Sequence, residues 1–249
     1  MSNFAGHVIT DQGTKPDPDT VAVIKDYPEP DNLTDLQSFM GLANQFGEYS
    51  PDLRHAMEPL WPLFKKKNAY NLREDHTEAM NSVTNIITGP QCLQRFDPEL
   101  ETVLLTDASR KGLGFILLQT ETKPEGNEDN LANIVTKHTA KKISKGKLVS
   151  CGSRFLSSAE SNYAVIELEL LAIQWAVQKC HLYLAGTKFT EITDHQPLVG
   201  VMNGKNLDAI TNMRIHRTMS KLIGYQCKVL WTPGKTHHIA LCVHTQSHA

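Results

Sequence analysis

Thr102 to Gly114 reads TVLLTDASRKGLG, and this stretch decides the fold. The apolar run Val103-Leu104-Leu105 stops abruptly at Thr106-Asp107-Ala108-Ser109, and beyond Gly112 and Gly114 a second apolar run covers Phe115 to Leu118. Short apolar runs bounded by polar and glycine residues are the pattern of adjacent strands in a sheet. The carboxylate of Asp107 is then left at the tip of the first strand. Taken alone, an Asp before a turn is ordinary turn chemistry. Two later stretches give it a different weight.

At 249 residues the chain is long enough for one large domain or two modest ones with real cores. No run approaches the ~20 apolar residues needed to span a bilayer, and MSNFAGHVITDQG has neither the basic start nor the apolar core of a secretory signal. The five cysteines, Cys92, Cys151, Cys180, Cys227 and Cys242, are odd in number, widely spaced and without a CxxC pair. They read as reduced thiols of an intracellular protein, cytoplasmic or nuclear, and not as a disulfide frame or a zinc site. The net charge of -2 excludes a basic coat over the whole protein. The charge is uneven, however: Ala209 to Ala249 contains no Asp or Glu but holds Arg214, Arg217, Lys221, Lys228 and Lys235. Such asymmetry points to a polyanionic partner or to a solvated helix face.

The first hundred residues read as a small, mostly helical unit. His7 to Thr10 fits a strand, Lys15-Pro16-Asp17-Pro18-Asp19 a break and Val21 to Ile24 a short helix. Asn32 can cap a helix whose Leu36, Phe39, Met40, Ala43 and Phe46 share one face, and Glu74 to Ile87 repeats the pattern before Gly89-Pro90. From Thr102 the pattern changes to strands. Residues 120–146 lack periodicity and read as a long exposed loop, Lys147 to Ser153 as a third strand, Lys188 to Thr193 as a fourth and Lys228 to Trp231 as a fifth. Ser157-Ser158-Ala159-Glu160 has the form of a capping box and is expected to open a helix running to about Tyr183. Thr211 to Tyr225 reads as a basic amphipathic helix.

Three carboxylates stand in informative places: Asp107 and Asp194 each end a strand, and Glu169 lies in the long helix. Neighbouring parallel strands share one edge, where ligands collect. If the fourth strand lies beside the first, Asp107 and Asp194 meet there, and a helix crossing the sheet can deliver Glu169 to the same point. Glu167 is the rival for the helical position, since residues two apart do not share a face. Clustered carboxylates repel one another and call for a cation, and hard oxygen ligands favour Mg²⁺ or Mn²⁺. Two such ions ~3.5–4 Å apart activate water and stabilise the leaving oxygen in phosphodiester cleavage.

TDAS at 106–109, GLG at 112–114, SRFLSSAESNYAVIELELLAI at 153–173, YLAG at 183–186, TDHQPL at 193–198 and WTPGK at 231–235 resemble the RNase H domain of gypsy-type LTR retrotransposon reverse transcriptases. FAGHVIT at 4–10, YPEPDNLTDLQSFMGLANQFGEYSPDL at 27–53, EPLWPLFKK at 58–66 and LQRFDPEL at 93–100 resemble the segments that precede it in those Pol polyproteins. The resemblance implies an α/β fold: a ribonuclease H-like mixed five-stranded sheet with flanking helices, preceded by a small, mostly helical thumb/connection unit. On this reading 1–30 ends a reverse transcriptase palm, 31–98 is thumb and connection, and 99–249 is the RNase H-like domain with 120–146 inserted. It further implies hydrolysis of the RNA strand of RNA–DNA hybrids with Mg²⁺ or Mn²⁺, two ions held by Asp107, Glu169 and Asp194. Ser109, Arg110, Lys111, Arg214, Arg217, Lys221 and Lys235 are the expected nucleic-acid contacts, and a complete reverse transcriptase subunit is a possible partner.

Two departures matter. The family's polymerase centre carries an Asp-Asp pair, and none occurs in this sequence, so DNA synthesis is not expected of this chain alone. The family also closes its nuclease site with a fourth Asp, and in HIALCVH at 238–244 Leu241 stands in that place. An apolar side chain cannot coordinate an ion, so one metal site is expected to be weakened. His237, His238 and His244 are poor substitutes, since imidazole suits softer ions, and His195 reads as structural. The alternative is a catalytically inactive remnant or domesticated module that keeps nucleic-acid binding.

Overall fold

The structure, a computed structural model, describes residues 2–4, 6–11, 13–64, 70–89, 92–120, 134–135, 137–204 and 207–233. The chain divides into two compact units, Met1–Arg95 and Phe96–Ala249. No described helix is long and apolar enough to cross a membrane.

The first unit opens with an antiparallel meander, β1 (Ser2–Phe4), β2 (His7–Thr10) and β3 (Gly13–Pro16). Where the sequence predicts a break at Lys15 to Asp19, the chain instead closes β3 and starts α1 (Pro18–Lys25). The Pro-Asp run is a helix start: Asp17 caps the Asp19 N–H, and Pro18 occupies the first turn, where a missing N–H costs nothing. Helix α2 (Leu33–Gln45) has the expected cap, with Asn32 Oδ1 accepting from the Asp35 N–H at 3.0 Å. Helix α3 (Asp52–Met57) runs into a 3₁₀ segment at Glu58–Phe64, and α4 (Glu74–Thr88) ends at Gly89. Helices of this length are marginal in isolation. Their stability comes from one shared core, in which Leu36, Phe39, Met40 and Ala43 meet Ala79, Met80, Val83 and Ile87, with Leu53, Met57 and Leu60 between.

The second unit is built on five strands: β4 (Glu101–Ala108), β5 (Gly112–Thr120), β6 (Lys147–Phe155), β7 (Lys188–Thr193) and β8 (Gln226–Trp231). Their order is β6-β5-β4-β7-β8. The pairs β4–β5 and β5–β6 are antiparallel, and β4–β7 and β7–β8 are parallel, giving the mixed sheet expected. Gly112 opens β5 where a Cβ would lie 2.6 Å from the Arg154 backbone oxygen. That atom belongs to the paired strand and cannot turn aside, so Gly112→Ala should destabilise this unit by about 1–3 kcal/mol. A lowered thermal midpoint in circular dichroism is the check, and an unchanged midpoint would refute the crowding argument.

Three expectations about helices are corrected. The 120–146 stretch is not wholly a loop: α5 spans Lys137–Ile143, and Val135 N–H bonds to the Trp231 carbonyl at 2.8 Å. A helix of under two turns is too short to show a period. Ser157 and Glu160 do exchange capping hydrogen bonds, but these close only a 3₁₀ turn at Glu160–Asn162. Tyr163 and Ala164 are then extended, so the long helix α6 spans Val165–Lys179, with α7 (His181–Leu184) separate after it. Downstream, α8 (Gln196–Gly204) follows β7 directly, where the sequence reading assigned no element. The basic helix is shorter than expected: α9 spans Met213–Ser220, capped by Asn212. Leu170, Ile173 and Val177 of α6 join Leu104, Leu117 and Val149 of the sheet, Met219 of α9 and Leu222 just beyond it in one buried cluster.

Candidate metal centre

The β4–β7 register pairs Thr102 with Phe189 through to Leu105 with Ile192. Continued two positions, the same register brings Asp107 beside Asp194, at the carboxyl edge of the two parallel strands. The backbone of Asp194 is fixed there: its carbonyl accepts from Trp231 Nε1 at 3.0 Å, while Thr193 bonds to the Thr232 N–H at 3.0 Å. Helix α6 packs on β4 and β5. Starting at Val165, it places Glu169 in its second turn, closer to the helix start than the capping-box reading implies.

One carboxylate oxygen from each of Asp107, Glu169 and Asp194 lies within 4.8 Å of the others, the only such acidic, His or Cys cluster among the described residues. Asp107 and Asp194 are half-buried and Glu169 is buried. Glu169 Oε2 has no hydrogen-bond partner among the described residues. Burial, with the negative charges of Asp194 and Asp107, pushes the Glu169 carboxyl up to about 8. Three hard oxygens, mutually repelling and one of them unpartnered, fit a divalent cation of the Mg²⁺ type.

Glu167 is excluded from this centre. At the third position of α6 its carboxylate turns back to accept from the Ala164 N–H at 3.0 Å, and also bonds to Asn212 Nδ2 at 3.0 Å and Arg214 Nη1 at 2.7 Å. Burial alone would raise its pKa; the bonds from Asn212, Ala164 and Arg214 outweigh this and hold it below the usual carboxylate range. Of the two glutamates, it is Glu169 whose carboxylate lies beside those of Asp107 and Asp194.

The residues expected to touch nucleic acid are distributed unequally. Ser109 builds the β4–β5 turn, its hydroxyl accepting from the Gly112 N–H at 3.1 Å. Arg110 spans to the carbonyls of Ser161 and Tyr163, both at 3.3 Å. Lys111, Arg217 and Lys221 are exposed. Arg214 is committed to Glu167 and stacks 4.0 Å from the Tyr163 ring centroid. His195 is half-buried at the junction of β7 and α8. Lys235 and Leu241 lie outside the described residues, as do His237, His238 and His244.

One residue of interest was not anticipated. Glu191, inside β7, is fully buried, accepting from the Thr106 hydroxyl at 2.6 Å. Its second oxygen has no hydrogen-bond partner among the described residues. Burial lifts its carboxyl well above the usual range, the Thr106 bond opposing and the charge of Glu169 adding. The signal was legible: a charged residue in the Phe189-Thr190-Glu191-Ile192 strand, at the alternate position shared with the apolar Phe189.

Residues 97–225 match the RNase H-like domain found in reverse transcriptase. Over 240 residues the chain is 31% identical to the retrovirus-related Pol polyprotein from transposon 297 of Drosophila melanogaster, covering 96% of this chain and 20% of that protein. The corresponding protein from transposon gypsy, also of Drosophila melanogaster, is 30% identical over 250 residues, 95% of this chain and 21% of its own length. The chain thus spans about a fifth of these curated relatives. Among solved structures, a foamy viral protease-reverse transcriptase in complex with RNA/DNA hybrid superposes with a TM-score of 0.65 at 17% identity. That likeness covers 94% of this chain and 29% of the viral chain, and it speaks to the fold.

Proposed function

Because the chain belongs to the family of RNase H-like domains found in reverse transcriptase, we propose that it hydrolyses the RNA strand of RNA–DNA hybrids at the Asp107, Glu169 and Asp194 centre. The observation that carries this reading is the meeting of the three carboxylates with the buried, unpartnered oxygen of Glu169 among them. Bound there, two Mg²⁺ or Mn²⁺ ions would supply an activated water and charge stabilisation at the leaving oxygen. Asp107 and Asp194 hold their carboxylates at a rigid strand edge, and Glu169 contributes the least hydrated oxygen of the three. The exposed cations Lys111, Arg217 and Lys221 would hold the hybrid's phosphates, a salt-sensitive and sequence-neutral contact.

Leu241, in the position of the family's fourth Asp, favours a second reading: binding retained and hydrolysis lost. The two readings separate in one assay, cleavage of a labelled RNA–DNA hybrid in Mg²⁺ and in Mn²⁺ by the wild type and by Leu241→Asp. Slow wild-type cleavage, at least roughly tenfold faster in Leu241→Asp, is the expected result, the gain of one oxygen ligand being worth about 1.4 kcal/mol or more. Salt-dependent binding with no cleavage by the wild type, whether or not Leu241→Asp cleaves, would establish the second reading instead.

A further inference from the structure

Helix α6 carries two glutamates, and only Glu169 belongs to the acid centre. Glu167 sits two residues earlier with its side chain 7% exposed, and its hydrogen bonds among the described residues lead to the start of α6 and of α9. The same Asn212 that bonds Glu167 caps α9, its Oδ1 accepting from the N–H groups of Arg214 and Ile215 at 2.9 and 3.3 Å. Arg214 lies between the Glu167 carboxylate and the Tyr163 ring, and the Tyr163 carbonyl accepts from Arg110, three residues beyond Asp107. One polar network therefore ties together the β4–β5 turn, the first turn of α6 and the first turn of α9. On α9 and its cap, Arg217 and Lys221 follow Arg214 at three and seven residues, on one side of the helix and exposed.

We propose that Glu167 and Arg214 are positioning residues: their ion pair transmits the seating of a polyanion on the Arg217 and Lys221 face to the first turn of α6, and so to Glu169. The inference rests on the hybrid-binding part of the reading above. It also reassigns Arg214. The sequence marks it as a phosphate contact, but its guanidinium is already engaged by a buried carboxylate and an aromatic face, and withdrawing it would leave Glu167 buried without its counter-charge.

The test uses the full chain and a labelled RNA–DNA hybrid, with Arg214→Met, Glu167→Gln, the double variant and, as a control on the binding face, Arg217→Ala. Arg214→Met and Glu167→Gln should each slow single-turnover cleavage at saturating protein about tenfold. Hybrid affinity should stay within about twofold and the slope of log affinity against log salt should be unchanged. The double variant should be no slower than either single variant, since both remove one interaction. Arg217→Ala should weaken binding and reduce the salt slope by about one. A second readout is independent of chemistry: hybrid binding should slow amide exchange across both 165–171 and 213–220, and in Arg214→Met only across 213–220. If Arg214→Met lowers the salt slope as Arg217→Ala does, or if protection of 165–171 survives it, the inference is overturned. Wild type that binds but does not cleave, with the coupled protection intact, would remove the proposed hydrolysis and leave the inference standing. A wild type that binds no hybrid overturns both.

Discussion

Glu169→Gln is expected to raise the thermal midpoint of the RNase H-like unit at pH 8.5 by roughly 4–8 °C while abolishing its response to Mg²⁺. The folded carboxyl ionises at about 8 against an ordinary 4.5, raised first by burial and then by Asp194 and Asp107. Between those values the folded chain keeps a proton that the unfolded chain has released. Stability therefore falls as pH rises from about 4.5 to about 8, and stays low above. Each pKa unit corresponds to about 1.4 kcal/mol, which bounds the penalty near 5 kcal/mol. Local relaxation and the imperfectly satisfied amide of Gln take back part of the gain, leaving about 2 kcal/mol. At pH 5 the carboxyl is largely protonated in the folded chain, and wild type and variant should melt together. Mg²⁺ should stabilise the wild type above pH 7 by binding the folded state alone, with release of the Glu169 proton, and should leave the variant unmoved. Equal melting of the two proteins at both pH values would mean that Glu169 carries no such strain.

How far the sequence anticipates this centre depends on the scale of the signal. Asp107 and Asp194 are legible because an apolar run that ends in Asp and a turn has little choice but to present that Asp at a strand tip. Their meeting is not legible in the same way, since it depends on β7 pairing with β4 in parallel, a contact between segments more than eighty residues apart. Glu169 is harder still. The choice between it and Glu167 depends on where α6 begins, and the most conspicuous cap signal, Ser157 to Glu160, closes a different, shorter turn. Once α6 starts at Val165, Glu167 falls at the third position, where a glutamate can return to the helix start. Helix α8 was obscured for a related reason: Pro197 reads as a breaker, yet as its second residue it occupies a position where proline is tolerated. The Arg214 and Tyr163 stack joins residues about fifty positions apart, and no local pattern announces it.

Asp107→Asn should reduce hybrid cleavage by about 10³-fold or more while leaving hybrid affinity unchanged or slightly tighter. The amide keeps the size of the carboxylate and its place at the end of β4, so the β4–β5 ladder through Gly114 should persist, and a far-ultraviolet circular dichroism spectrum like the wild type's is the control for folding. What is lost is one full negative charge among three oxygens lying within 4.8 Å. A carboxylate to cation contact in a partly buried site is worth several kcal/mol to a charge-stabilised reaction, and about 4 kcal/mol is a thousandfold. Binding responds in the opposite sense, because removing an anion from a surface that faces phosphates weakens no attraction. A third readout guards against a trivial loss. Asp107 is one of the two charges that raise the Glu169 carboxyl, so in Asp107→Asn the decline of stability with pH should begin at the same pH but level off at lower pH than in the wild type. Cleavage within tenfold of wild type in Asp107→Asn would remove the three-carboxylate centre as the site of reaction. Lost cleavage with a wild-type pH profile would show instead that Asp107 acts without the electrostatic contact to Glu169 on which the centre is built.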